Sequence, residues 1–155
     1  MTRRSPPRHH SRRAALQVLY ATDLAAREQT PQDPRDVFEG VATHFDLRDG
    51  ARAFAEELAL GVAAHREELD EHIAAHARNW RVDRMAAVDR NVLRLAAYEL
   101  LHTGTPASIV LDEAIELARD FGGERSPAFV NGVLDAIARD RPPRPDDALA
   151  PESKA

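Results

Sequence analysis

The sequence predicts an all-α protein, and three observations carry that prediction. Apolar residues recur at three- and four-residue steps along most of the chain, the period of a helix with one buried face. The prolines between the two ends, Pro31, Pro34, Pro106 and Pro127, each fall where such a pattern starts or stops. The one β-like run, Ser108-Ile109-Val110-Leu111, continues directly into a helical pattern. A chain of 155 residues suits one domain, able to bury roughly two-thirds of its unfolded surface without a metal or disulfide staple.

The first helix is expected from about Ser11 to Glu28, with Ala15, Leu16, Leu19 and Ala26 on one face, although Thr22 and Asp23 fall on the same side. Asp33 reads as the N-cap of a second helix that opens on Pro34 and turns Val37, Phe38, Val41 and Phe45 inward. A long third helix, from about Asp49 to Ala77, places Phe54, Leu58, Val62, Leu69 and Ile73 at helical spacing. The fourth follows Asp83 with Met85, Val88, Val92, Leu95 and Ala96, and Gly104 with Pro106 closes it. The fifth buries Val110, Leu111, Ala114, Leu117, Ala118 and Phe121 before Gly122-Gly123. The last has Ser126 as N-cap, Pro127 at its first position, and Val130, Val133, Leu134 and Ile137 inward. Residues 1–10 are expected to be a flexible basic arm, 11–139 the helical domain, and 140–155 a proline-rich disordered tail.

Composition excludes several function classes. The absence of cysteine removes disulfides, Cys-ligated zinc, iron–sulfur clusters and thiol nucleophiles. No apolar run is long enough for a membrane helix, and the basic N-terminus is not followed by the apolar segment of a secretory signal, so a cytoplasmic protein is expected. The glycines fit neither a phosphate-binding loop nor a dinucleotide fingerprint, and there is no HExxH. Glu68, His72 and His76 line up on the third helix, but one straight helix cannot close a tetrahedral shell, and a solvated face is the simpler reading. Asp112, Glu116 and Asp120 read as another solvated face. Glu99 falls within the apolar stripe of the fourth helix, where it needs a buried partner such as Arg81 or Arg84, unless it is a general base with a raised pKa. No nucleophile or second carboxylate is placed to share catalytic work, and neither an enzyme nor a cofactor is expected.

The charge is unevenly spread. The net charge is −5, yet residues 1–13 hold five arginines and no carboxylate, which leaves −10 for the rest. Arg8 and Arg12 lead into a helical face bearing Arg13 and Gln17, with Tyr20 at its margin. Guanidinium to phosphate, amide to base edge and ring to unpaired base are the contacts of RNA recognition, although a frayed terminus beside a core tyrosine reads equally well. At the start of the last helix, Ser126, Phe129 and Asn131 stand near free backbone N–H groups that favour a phosphate, although a packed Phe129 is the simpler reading.

The chain resembles the NusB family of bacterial transcription antitermination factors. The matching segments are Arg12-Arg13-Ala14-Ala15-Leu16-Gln17-Val18-Leu19-Tyr20, Trp80 with Asp89-Arg90-Asn91-Val92-Leu93-Arg94, Tyr98-Glu99-Leu100, Asp112-Glu113-Ala114-Ile115-Glu116-Leu117-Ala118, and Phe129-Val130-Asn131-Gly132-Val133-Leu134-Asp135. They occur in the family's order over nearly all of residues 8 to 138. The resemblance implies a domain of six to seven helices in two packed helical subdomains. It implies binding of boxA RNA together with NusE, a small-subunit ribosomal protein, and indirect association with other Nus factors and RNA polymerase at ribosomal RNA operons. It places Arg8, Arg12, Arg13, Gln17, Tyr20, Ser126, Phe129 and Asn131 at the RNA, and Asp89 and Arg90 near NusE. Three departures stand out: His9 and His10 dilute the arm's charge, Arg125 precedes the last helix, and the tail has no assigned counterpart. The alternatives are an RNA-binding module related to the domain preceding rRNA cytosine methyltransferases, and a structural helical oligomer; a homodimer is compatible with each.

Overall fold

The computed structural model describes residues 6–142, so Arg3, Arg4 and the expected tail from residue 143 lie outside the described residues. Seven α-helices follow one another: α1 (Pro6–Arg27), α2 (Pro34–Phe45), α3 (Asp49–Ala64), α4 (Arg66–His76), α5 (Ala87–His102), α6 (Ala107–Phe121) and α7 (Ser126–Asp140), with a single 3-10 turn at Val82–Arg84. There is no strand among the described residues. α1 packs with α2 and α3, while α4, α6 and α7 surround α5, and α5 also meets α1 and α3. These are the two helical subdomains, with α5 as their common element.

Several boundaries differ from the expected ones for local reasons. α1 begins at Pro6, so Arg8 and the two histidines belong to a helix rather than to an arm. Pro6 and Pro7 occupy its first turn, where a missing N–H costs nothing. Ser11 Oγ donates to Ala51 O at 2.8 Å, His10 Nε2 meets Phe45 O at 2.9 Å, and His9 Nδ1 meets Glu113 Oε1 at 2.7 Å. The long third helix is two: Ala64 ends α3, and His65, at φ −114° and ψ 19°, turns the chain into α4. Apolar spacing does not register this bend, since Val62, Leu69 and Ile73 remain buried on either side of it. Asp33 caps α2 as expected, accepting from Arg35 N at 2.9 Å. Of the expected inward residues, Ala26 and Phe121 are exposed instead.

α5 was expected to bury one stripe, but it is buried all round from Arg90 to Leu100. A polar residue can occupy such a helix only if it is paired. The partner of Glu99 is neither Arg81 nor Arg84 but Arg12 of α1, whose Nε and Nη2 donate to Oε2 and Oε1 at 2.7 and 2.9 Å. Both side chains are only 2% exposed. Burial pulls the Arg12 pKa down, but its hydrogen bonds to Glu99 and the charges of Glu99 and Glu113 outweigh it and raise the pKa above its ordinary value. At the other end of α1, Asp23 Oδ2 accepts from Arg90 Nε and Nη2 at 2.9 and 2.7 Å and from Asn91 Nδ2 at 3.0 Å. Arg94 forks onto Asp70 of α4 at 2.7 and 3.0 Å and stands 3.6 Å from Asp23 Oδ1. The apparent flaw in the α1 stripe at Asp23 is therefore the acceptor that α5 requires.

One glycine is fixed by close approach within a helix. A Cβ at Gly61 of α3 would run into the Tyr98 ring of α5, so only glycine lets these two helices pack at this point.

Three variants test the buried pairs. Glu99→Gln leaves the Arg12 charge without its main partner and is expected to cost about 3 kcal/mol, whereas the double change Arg12→Met with Glu99→Leu recovers most of it; denaturant unfolding reads both. For Asp23, burial raises the carboxyl pKa, but the hydrogen bonds from Arg90 and Asn91 and the charges of Arg90 and Arg94 outweigh it and lower it overall. Its contribution is thus complete above the unfolded carboxylate value, about pH 4, and is lost as pH falls through the lower folded value. Asp23→Asn is expected to lower stability at neutral pH by about 3 kcal/mol and to flatten the acid limb of the stability–pH curve.

Candidate nucleic-acid interface

The helical period that turns Ala15, Val18 and Leu19 inward brings Arg13, Gln17 and Tyr20 out on the other side of α1. Gln17 and Tyr20 are exposed and Arg13 is half-buried. With Leu16 they line an open cavity of about 410 Å³, completed by Phe45 of α2, Val88 of α5 and Phe121 of α6. The Arg13 guanidinium lies 4.7 Å from the Phe121 ring centre, and its Nη1 is 3.3 Å from Asp120 Oδ2. An ion pair this exposed, 35% and 38% for the two side chains, is weak, so a phosphate can draw the guanidinium away from Asp120. One wall is apolar and aromatic, the other offers a guanidinium, an amide and a phenol. That combination is chemically suited to an unstacked base against the rings with its phosphate against the cation.

One helical turn and more toward the N-terminus, Arg8 is exposed, its guanidinium 4.2 Å from the centre of the Phe54 ring. This cation–π contact holds the side chain against the body of the protein while its N–H groups remain open to solvent. Arg12 stands over the same ring, its guanidinium 5.2 Å from the Phe54 centre, but is only 2% exposed. The buried pair with Glu99 occupies its guanidinium, so Arg12, expected at RNA, has a structural role here.

The start of α7 also departs from expectation. Ser126 is only 5% exposed, its Oγ accepts from Gly123 N at 2.9 Å, and Arg125 takes the N-cap position without a side-chain bond to the helix. Ser126 therefore braces the α6–α7 turn. Gly122 permits this arrangement, because a Cβ there would lie 2.6 Å from Ser126 Oγ. Phe129 is half-buried and meets Trp80 edge-on, with ring centres 5.8 Å apart. Trp80 is 56% exposed, and Arg125 and Asn131 are exposed as well. The α1 face and the start of α7 belong to different subdomains. Their link is Phe121, which touches Arg13 and ends the helix from which the turn to Ser126 departs.

Of the pair expected at a protein partner, Arg90 is 2% exposed and is committed to Asp23 and to Met85 O, the latter at 2.6 Å. Expected near a protein partner, Arg90 is thus placed in the interior. Asp89 is half-buried in the first turn of α5, where its charge is favoured by the helix dipole.

Sequence reasoning missed Phe121, Val88, Phe45 and Trp80 as parts of these surfaces. Phe121 carried one usable signal: it is the last periodic residue before a glycine pair, where a helix runs past the core it covers. Trp80 carried another, as a lone tryptophan between Asn79 and Arg81 in a loop.

Comparison with known proteins places these features in a family context. The model of the NusB family matches residues 9–139. A protein of Solibacter usitatus named transcription antitermination protein NusB is 44% identical over 135 residues, covering 87% of this chain and 90% of that protein. One of the same name from Anaeromyxobacter dehalogenans strain 2CP-1 is 49% identical over 139 residues, covering 88% and 93%. Among solved structures, T. maritima NusB matches with a TM-score of 0.84 at 32% identity, over 95% of this chain and all (100%) of that one. A chain from the crystal structure of antitermination factors NusB and NusE in complex with dsRNA matches with a TM-score of 0.78 at 30% identity, over 89% and 100%.

Proposed function

This chain belongs to the NusB family, and from that premise we propose that it is a transcription antitermination factor that binds boxA-type single-stranded RNA together with NusE in support of rRNA operon transcription. It acts by binding and not by catalysis. The observation that carries the reading is the cavity where Arg13, Gln17 and Tyr20 face Phe121 and Val88. Its polar groups match a phosphate and a base edge, and its rings match a base plane. Joint binding of RNA and NusE is supported by the structural relative that was solved with both NusE and dsRNA.

The RNA-contacting set in this proposal is Arg8, Arg13, Gln17 and Tyr20 on α1, with Phe129 and Asn131 at the start of α7. Arg12 and Ser126 act indirectly, the first by fixing α1 on α5 and the second by shaping the turn into α7. Asp89 is the remaining candidate at NusE, with Arg90 holding the first turns of α5 in place from the inside. The acidity of the rest of the chain suits a factor that must not adhere to every nucleic acid it meets, since phosphate contacts alone give affinity without sequence. Other Nus factors and RNA polymerase enter this reading indirectly, through the RNA and NusE.

Fluorescence titration with a boxA-like single strand and a scrambled one tests the reading. The boxA-like strand is expected to bind more tightly, and equal affinity for the two overturns the assignment. Arg13→Ala is expected to cost about 1 kcal/mol and to reduce the salt slope by about one. Tyr20→Ala is expected to cost about 1–3 kcal/mol if its ring stacks on a base. In a mobility-shift assay, added NusE is expected to tighten RNA binding; a lack of effect counts against a joint complex.

A further inference from the structure

A second group of functional side chains lies away from the RNA face, where the α3–α4 junction meets the end of α5. His65 Nδ1 is 2.8 Å from Gly61 O. A carbonyl only accepts, so Nδ1 carries the proton and Nε2 is left with its lone pair, the arrangement that orients a metal-binding imidazole. His102, the last residue of α5, has Nε2 3.0 Å from Glu68 Oε1. The other oxygen of Glu68 is 3.9 Å from His72 Nε2. The His65 and His102 rings lie 4.3 Å apart, and Tyr98 stacks on His102 at 5.3 Å and tilts against His65 at 5.8 Å. Because Tyr98 is itself seated over Gly61, it forms a fixed aromatic wall behind both imidazoles.

The fold has split the trio that shares a helix face in the sequence. His76 Nε2 is held by Asp140 at 2.6 Å, and its Nδ1 faces His72 O at 2.7 Å. Two imidazoles from other elements have come to Glu68 instead. One straight helix cannot surround an ion, but a helix junction and the end of a second helix can.

We propose that His65, Glu68 and His102, with His72 as a fourth ligand, bind a divalent transition cation of the zinc class. One ligand atom from each of the first three already lies within 4.8 Å of the others. A tetrahedral shell with bonds of about 2.0–2.1 Å sets its ligand atoms about 3.4 Å apart. The His102 and Glu68 side chains are partly exposed, 26% and 43%, which leaves them room to rotate toward a common ion. Imidazole nitrogens with one carboxylate select zinc, cobalt or nickel over magnesium or calcium, which require oxygen ligands. The cation takes the place of the hydrogen bond between His102 and Glu68: the His102 ring proton sits on Nδ1, Nε2 turns its lone pair to the ion, and no net proton has to leave. Bound there, it ties the α3–α4 junction to α5.

The test uses the full chain without a histidine tag, freed of metal by a chelator and titrated with Zn²⁺ by calorimetry. One equivalent is expected to bind, and saturating Zn²⁺ is expected to raise Tm by about five degrees or more. Co²⁺ is expected to produce the visible absorption of a four-coordinate site. His102→Ala and Glu68→Gln, both at partly exposed positions, are expected to weaken Zn²⁺ binding by about tenfold or more while leaving the metal-free Tm near that of the parent. Asp120→Asn serves as control, because His9, Glu116 and Asp120 are another group with ligand atoms within 4.8 Å, and it is expected to leave binding unchanged. No binding of Zn²⁺, binding that survives His102→Ala, or binding lost with Asp120→Asn overturns the proposal.

Discussion

Two buried ionic contacts between α1 and α5 set the geometry on which the rest of the molecule depends. Arg12 meets Glu99 and Asp23 meets Arg90, so the two helices run antiparallel. The anchors are eleven residues apart on α1 and nine apart on α5, spans of about 16 and 14 Å at 1.5 Å per residue. Apolar packing between helices tolerates sliding by part of a turn. A bidentate guanidinium–carboxylate pair does not, because a small shift leaves a buried charge unpaired. Whatever such pairs contribute to net stability, here they select one register for the helix that joins the two subdomains.

That register decides which side of α1 is free. With Arg12 and Asp23 turned inward, Arg13, Gln17 and Tyr20 are turned outward over the gap between α2, the first turn of α5 and the last turn of α6. The division of labour between adjacent arginines follows directly: Arg12 is a structural cation and Arg13 a surface one. The charge asymmetry of the chain is correspondingly less stark in three dimensions. Carboxylates answer two of the three described arginines near the N-terminus, Glu99 at Arg12 and Asp120 at Arg13, while Arg8 rests on the Phe54 ring. Any anion that engages Arg13 must therefore displace Asp120.

The same packing brings together groups that a linear reading separates. Glu68 shares a helix face with His72 and His76, yet its nearest imidazole partner is His102, thirty-four positions along the chain. His76 goes to Asp140 at the end of α7. The break between α3 and α4 at His65 makes this possible by turning α4 across the end of α5.

The amino-acid sequence alone determined the helical class, the caps at Asp33 and Gly122, and most of the inward positions, because these rest on local period and local backbone preference. It also marked Glu99 as a buried carboxylate in need of a partner, since a charge within an apolar stripe is visible without coordinates. The identity of that partner was decided by tertiary structure: Arg12 is eighty-seven residues away, and its position next to Arg13 gave no sign that only one of the two would be buried. The bend at His65, the central burial of α5, the exposure of Phe121 and the bracing role of Ser126 were decided there too. Each depends on which helix lies opposite, and periodicity records only that a face is covered, never by what.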